Sequence, residues 1–316
     1  MPLELKNVSY IYQPNTPNES TALNNVSLTI NDGEFIGIIG HTGSGKSTLV
    51  QLLCGLLAPT SGQVFIDGVD INAKDTPKAE RKKHRLQVGM VFQYPEHQLF
   101  EETVIADIAF GPKNLGFAEK EARALAKSAM KTVGLSADLA KSSPFDLSGG
   151  QKRRVAIAGV LAMNPKYLIL DEPTAGLDPQ GREEILAEVQ SLRQKLGITV
   201  ILVSHSMDDV ARFADRLLVL NDSQLYMQGT SQEIFARAEE MRALGLDIPV
   251  VTAILKRLAQ EGWDIDTSIV DLDQARAEIT RAWRQKGGHK SCRKILLSGN
   301  TSQEILSCTA WIRAAK

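Results

Sequence analysis

The chain has 316 residues and a net charge of −1, with 43% hydrophobic and 23% charged residues. That length holds one large or two modest domains with real cores, the composition excludes disordered and collagen-like chains, and near-neutrality gives no bulk attraction to nucleic acid or anionic lipid. Three cysteines (Cys54, Cys292, Cys308) in no metal-like spacing, and five histidines with no zinc-like pair, lead us to expect a reduced, intracellular protein.

The N-terminal MPLELKNVSY lacks the basic start and apolar stretch of a signal peptide, so none is expected. No apolar run reaches the roughly 18–20 residues needed to cross a bilayer, so a membrane role would come through a partner. Phe35–Ile39 (FIGII) is the first of three short, continuous apolar runs and ends at Gly40. Tyr167–Leu170 (YLIL) ends at Asp171-Glu172, and Val200–Val203 (VILV) at Ser204-His205. Continuous apolarity predicts strands covered on both faces, as in the parallel sheet of an α/β domain, with ligands at their C-terminal ends.

Between the first two runs, Thr103–Ala109 and Ala118–Val133 read as amphipathic helices, the second stopping at Gly134. From about Gln98 to Met163 no strand is predicted, which makes this stretch a helical insert. Asp178-Pro179 reads as an N-cap and first helical residue, followed by Ile185, Val189, Leu192 and Leu196 at helical spacing. Residues 241–280 form a short helical appendage by pattern. From Arg281 to the end there are eight Lys or Arg and one acid, Glu304, in a sequence of weak periodicity. This basic segment reads either as a solvated flexible extension or as a contact for anionic headgroups.

Gly40, His41, Thr42, Gly43, Ser44, Gly45, Lys46 and Ser47 match G-x-x-x-x-G-K-[ST] between a strand and the helix-like TLVQLLCGLL that opens with Thr48. In that setting the glycines let backbone N–H groups curl around phosphates, Lys46 would reach the β- and γ-phosphates, and the Ser47 hydroxyl would ligate Mg²⁺. Asp171, closing YLILD, is placed to hold Mg²⁺ through water, and Glu172 to orient or deprotonate an attacking water. His205 could contact the γ-phosphate or that water. A second anion site is predicted at LSGGQKRR, residues 147–154, where Ser148, Gly149 and Gly150 precede a helix whose first N–H groups are unpaired.

Strand–GHTGSGKS–helix, a lone Gln93 after VGMVF, LSGGQ, YLILDEPTAGLD and a later strand ending in His resemble, in this order over about residues 3–230, the nucleotide-binding subunit of an ABC transporter. The resemblance implies a P-loop NTPase core with a mainly parallel sheet, the helical insert and the appendage. It places the ATPase domain at 1–240. It also implies that two subunits close head to tail, each ATP lying between one chain's phosphate loop and the other's LSGGQ helix start. Ser148, Gly149, Gly150 and Gln151 would then face an ATP held by a partner. Tyr12 corresponds to the aromatic that stacks on adenine, with Tyr10 as the alternative. Gln93 corresponds to the group that senses Mg²⁺ or the water and links core to insert, and Asp178 to the loop that crosses the dimer interface. Glu172 and His205 fill the positions needed for hydrolysis. A single LSGGQ and the absence of sustained heptads argue against the ABC ATPases of ribosomes and DNA, and no nucleic-acid partner is expected.

YPEHQLFEETVIADIAFGP after Gln93 resembles the ATPase (A) components of energy-coupling factor transporters, and the proline-rich YQPNTPNESTAL loop the second of their two types. The implied partners are a second, different A component, a transmembrane T component and an S component that binds a vitamin or metal, on the cytoplasmic face of the membrane. Leu99 and Phe100 would pack a partner's coupling helix or bury within the insert. The 241–280 appendage would support contact between A components or pack locally.

Overall fold

The computed structural model describes residues 1–286, in two units that divide between Ile248 and Pro249. The first unit opens with strands β1 (Leu3–Tyr12), β2 (Ser20–Ile30) and β3 (Phe35–Ile39), then helix α1 (Lys46–Leu53). Next come β4 (Ser61–Ile66), β5 (Val69–Asp70), the basic helix α2 (Lys78–Arg85) and β6 (Val88–Val91). The predicted insert is strand-free: a 3₁₀ turn at Pro95–Gln98, α3 (Val104–Asn114), α4 (Glu119–Thr132), two more 3₁₀ turns, and α5 (Gly149–Leu161). The chain then returns through β7 (Tyr167–Asp171), α6 (Pro179–Leu196), β8 (Thr199–Val203), α7 (Met207–Phe213), β9 (Arg216–Asn221) and β10 (Gln224–Gly229). Helices α8 (Ser231–Ala236) and α9 (Ala238–Ala243) end it.

The three apolar runs are neighbours in space. They lie within a six-stranded sheet of order β10-β9-β3-β8-β7-β6, in which all strands are parallel except the edge strand β10. Every residue of β3 and β8 is buried, as strands covered on both faces require. Gly37 of FIGII shows why the cover fits. A β-carbon there would stand 2.6 Å from Leu217 and 3.2 Å from the β-carbons of Val210 and Ala214, so its bare backbone admits α7. A second sheet, β2-β1-β4-β5, is antiparallel throughout. Its inward residues Leu3, Leu5, Val8, Val26, Leu28, Val64 and Ile66 join Leu49, Leu52 and Leu53 of α1 in one core.

Local chemistry sets the helix ends. Thr103 caps α3 by accepting from the Ala106 N–H at 3.4 Å, and Asp178 caps α6 by accepting from Gly181 at 2.7 Å. After α4 the chain turns at Gly134, φ +66, where a side chain would be strained. Ile185, Val189 and Leu192 are buried along α6, whereas the expected fourth member, Leu196, is exposed at the helix end.

Two expected boundaries move. The appendage predicted from residue 241 starts at Pro249, because Met241, Leu246 and Ile248 are buried in the first unit. In the second unit the described elements are α10 (Val250–Gln260) and α11 (Leu272–Gln285). The basic tail expected from Arg281 begins inside α11, where Arg281 pairs with Glu278 at 2.6 Å. The rest of it, from residue 287, lies outside the described residues.

Candidate nucleotide site

Four neighbouring parallel strands deliver the predicted groups at their C-terminal ends: Gly40 after β3, His205 after β8, Asp171 and Glu172 at β7, and Gln93 after β6. Parallel pairing brings all four ends to one edge of the sheet, where open α/β sheets take their ligands.

The phosphate loop turns from β3 into α1. Gly45 is the N-cap in the left-handed region, φ +103, and a β-carbon there would strike the Ala22 carbonyl. Gly43, φ +84, has open space around it. No side chain caps α1, which leaves the N–H groups of its first turn for an anion. Ser44 is buried with an unpartnered hydroxyl, and a β-carbon on Gly40 would stand 2.5 Å from that oxygen. A buried orphan donor among bare glycines fits a phosphate. His41 and Thr42 form the outer rim, the His41 ring 2.7 Å from the Thr42 carbonyl and 4.0 Å from Asp222.

Lys46 is buried, its Nζ donating to the carbonyls of Gly40 at 2.7 Å and His41 at 2.9 Å. Burial lowers its pKa, and the charges of Glu172 and Asp171 oppose the shift. Burial also holds the Asp171 carboxyl above its ordinary range; Glu172 adds to this, while Lys46 and His205 oppose it. Ser47 is exposed beside them. Among the described residues no three His, Cys, Asp or Glu side chains converge as a metal cage. The donor set instead suits Mg²⁺, which binds through one or two protein oxygens plus phosphates and water.

Glu172 sits in the left-handed region, φ +49, a conformation that costs a non-glycine residue of order 1–3 kcal/mol and clusters at functional sites. Its carboxylate is held on both sides: His205 Nε2 lies 2.9 Å from Oε1, and Gln93 Nε2 donates to Oε2 at 3.3 Å. Tyr10 packs against the core and meets Tyr12 edge-on at 4.8 Å, while Tyr12 is 40% exposed. Of the two, Tyr12 is the more exposed. Its hydroxyl lies 3.2 Å from Thr48 Oγ1; Thr48 is buried and is placed to steady Tyr12.

The second cradle is separate. Ser148 caps α5, accepting from the Gln151 N–H at 3.3 Å, while Gln151 Oε1 accepts from the Ser148 N–H at 3.0 Å. Gly149 and Gly150 have nothing within 4 Å of where a β-carbon would stand, so packing within the chain does not call for glycine at either position. Asp178 is occupied as the α6 cap. Leu99 is 7% exposed and buries within the chain, whereas Phe100 is 56% exposed and edge-on to Phe110 at 4.8 Å. Sequence reasoning missed Arg153 and Glu96, a pair in which the buried Arg153 meets the partly exposed Glu96 and joins α5 to the turn after Gln93. The one available signal was an Arg within the helix that the insert buries.

Phosphate-loop ATPases in general have the first cradle; a second one, on a helical insert between β6 and β7, sets the class as an ABC-type ATPase. The ABC transporter family matches residues 23–175. The chain is 51% identical over 284 residues to the energy-coupling factor transporter ATP-binding protein EcfA2 of Caldanaerobacter subterraneus subsp. tengcongensis, spanning 90% of this chain and 98% of that protein. It is 55% identical over 281 residues to the protein of the same name from Symbiobacterium thermophilum, spanning 88% and 96%. Among solved structures, cbiO1 of Clostridium perfringens, part of the ABC transporter complex cbiONQ, superposes with a TM-score of 0.66 at 39% identity, covering 77% of this chain and 93% of that one. A dimeric ATP-binding cassette in a post-hydrolysis state with ADP and Pi gives 0.63 at 34% identity, covering 72% and 98%. The chain belongs to the ABC transporter family, among the ATP-binding proteins of energy-coupling factor transporters.

Proposed function

We propose that this chain is the ATP-hydrolysing A component of an energy-coupling factor importer, working in a pair with a second, different A component at the cytoplasmic face of the membrane. One observation carries the reading. The chain has a complete hydrolytic edge (Lys46, Asp171, Glu172, His205 and Gln93) and, apart from it, the unobstructed glycines of a second anion site. Two chains closing head to tail would use both halves on each ATP, as the dimeric cassette with ADP and Pi among its relatives suggests.

Within one site Lys46 and the loop amides would hold the phosphates, and Tyr12 would stack on adenine. Mg²⁺, when bound, neutralises charge on the phosphates; the Ser47 hydroxyl and, through water, Asp171 would hold it. Glu172, fixed by His205 and Gln93, would take a proton from the attacking water as the γ-phosphate leaves. The facing chain's Ser148, Gly149 and Gly150 would grip that γ-phosphate through N–H groups at a helix dipole's positive end. Its departure removes what they hold, so the chains part. No helix among the described residues is long and apolar enough to cross a membrane, so transport of a vitamin or other micronutrient would pass through T and S components.

Purifying the tagged chain from native membranes and identifying its companions by mass tests the reading. We expect one second ATPase and two kinds of membrane subunit; a chain isolated alone that hydrolyses ATP at full rate as a strict monomer would overturn it.

A further inference from the structure

Arg153 is the largest fully buried side chain among the described residues, 2% exposed, and it carries a charge. It lies five residues into α5 from the Ser148 cap, about 7.5 Å along the helix axis. Its Nη2 donates to both carboxylate oxygens of Glu96, at 3.1 and 3.2 Å, and to the Ala175 carbonyl at 3.1 Å. Glu96 belongs to the 3₁₀ turn that starts two residues after Gln93, and the residue between, Tyr94, is in the left-handed region at φ +53. Ala175 lies between Glu172 and Asp178, its own N–H bonded to the Glu172 carbonyl at 3.1 Å. One nitrogen thus ties the second cradle's helix to the turn behind Gln93 and to the loop behind Glu172.

Stability alone is a poor reason for this arrangement. A buried ion pair can often be replaced by well-packed apolar residues without loss, because desolvating the charges offsets their attraction. Here the cost is greater, since Nε and Nη1 of Arg153 are buried with no partner. Neighbouring Arg154 points elsewhere, donating to Glu188 of α6 at 3.0 Å. What the Arg153 geometry provides is a fixed three-way junction, with spare donors that can take up carbonyls if the two loops shift past it.

We infer that Arg153 is a positioning residue that links the two ATP sites of a closed pair. Resting on the two-chain reading above, it joins the helix that grips the partner's γ-phosphate to Gln93 and Glu172, which act on the chain's own ATP. Capture at one site is then felt as alignment at the other. Because Arg153 touches no part of the phosphate loop, its loss slows turnover and leaves nucleotide affinity in place.

The test uses the full-length chain paired with the second ATPase component that co-purifies with it, carrying Arg153→Met, Arg153→Lys, Glu96→Gln or the Met/Gln double change, and measures kcat and the affinity for a fluorescent ATP analogue. Arg153→Met should lower kcat at least tenfold with affinity within threefold. Lys, which keeps the positive charge on a shorter side chain, should recover part of the rate. The double variant should be no slower than Arg153→Met alone, since both changes cut one junction. If Arg153→Met does not fold, Arg153→Lys and Glu96→Gln must still lower kcat with affinity unchanged. An unchanged kcat, a parallel fall in affinity and rate that Lys does not relieve, or multiplying effects in the double variant would each overturn the inference. Failure of the two-chain reading shows separately, as a Glu172→Gln chain with Arg153 intact that does not associate in ATP with the second ATPase component.

Discussion

Glu172 and His205 meet at 2.9 Å across the ends of adjacent strands β7 and β8, and Gln93 holds the other Glu172 oxygen at 3.3 Å. Three strands therefore fix one carboxylate. Glu172→Gln keeps the size and hydrogen-bonding capacity of the side chain but removes the base, so we expect ATP binding to persist while single-turnover hydrolysis falls by about 10²–10⁴. Mixed with its partner ATPase component, the variant should accumulate as an ATP-stabilised pair in light scattering. Hydrolysis near the wild-type rate would mean that the base is elsewhere.

Lys46 is held by two loop carbonyls before any phosphate arrives, so its ammonium needs no reorientation to meet one. A charge-assisted contact of this kind contributes roughly 1.5–3 kcal/mol or more. Lys46→Ala should weaken nucleotide binding by roughly 10- to 150-fold in equilibrium titration. Unchanged affinity would remove the phosphate loop from the site.

Ser148 uses its oxygen to accept from Gln151, which leaves its hydroxyl proton free to donate outward. Asp caps a helix as well as Ser and suits the dipole, but it has no proton to give and repels a phosphate. Ser148→Asp should hold or raise the melting temperature while abolishing ATP-driven association. If both properties fall together, the serine is a structural cap only.

Burial and the Glu172 charge hold the pKa of the Asp171 carboxyl above 3.8, its ordinary value. A carboxyl whose folded pKa is raised keeps its proton in the folded state at pH values where the unfolded chain has lost it. Stability from this group therefore falls as pH rises through that window above 3.8 and stays lower beyond it. Asp171→Asn should melt at or above the wild type at pH 7, with the difference shrinking toward pH 4, while Mg²⁺-dependent hydrolysis is lost. A difference that grows on acidification would contradict the sign.

Those parts of the fold with an uninterrupted local signal were legible in the sequence. FIGII, YLIL and VILV are buried end to end, so nothing broke their apolar runs, and Thr103, Ser148 and Asp178 announce helix starts through the same caps they make in the fold. The antiparallel sheet was not legible. β1 and β2 shift register between Leu5 and Val8, between Val8 and Tyr10 and again between Tyr10 and Ile11, and Asn7 and Asn25 have φ of +50 and +51. Such bulges destroy the two-residue alternation that marks a half-buried strand. Arg153 was hidden for another reason. Lys152, Arg153 and Arg154 are alike in sequence, and only the three-dimensional path of the turn after Gln93 decides which of them is enclosed.

Of the four strands that carry the site, β6 alone lies at a margin of its sheet, paired with β7 on one side and, among the described residues, with no strand on the other. Backbone amides of Val88–Val91 should exchange with deuterium sooner than those of Tyr167–Asp171, which are laddered on both sides. A pull on the insert would thus reach the site at its loosest mooring. Gln93 can be drawn away or pressed in by disturbing a single ladder, while the bed on which Lys46, Asp171 and His205 rest stays still.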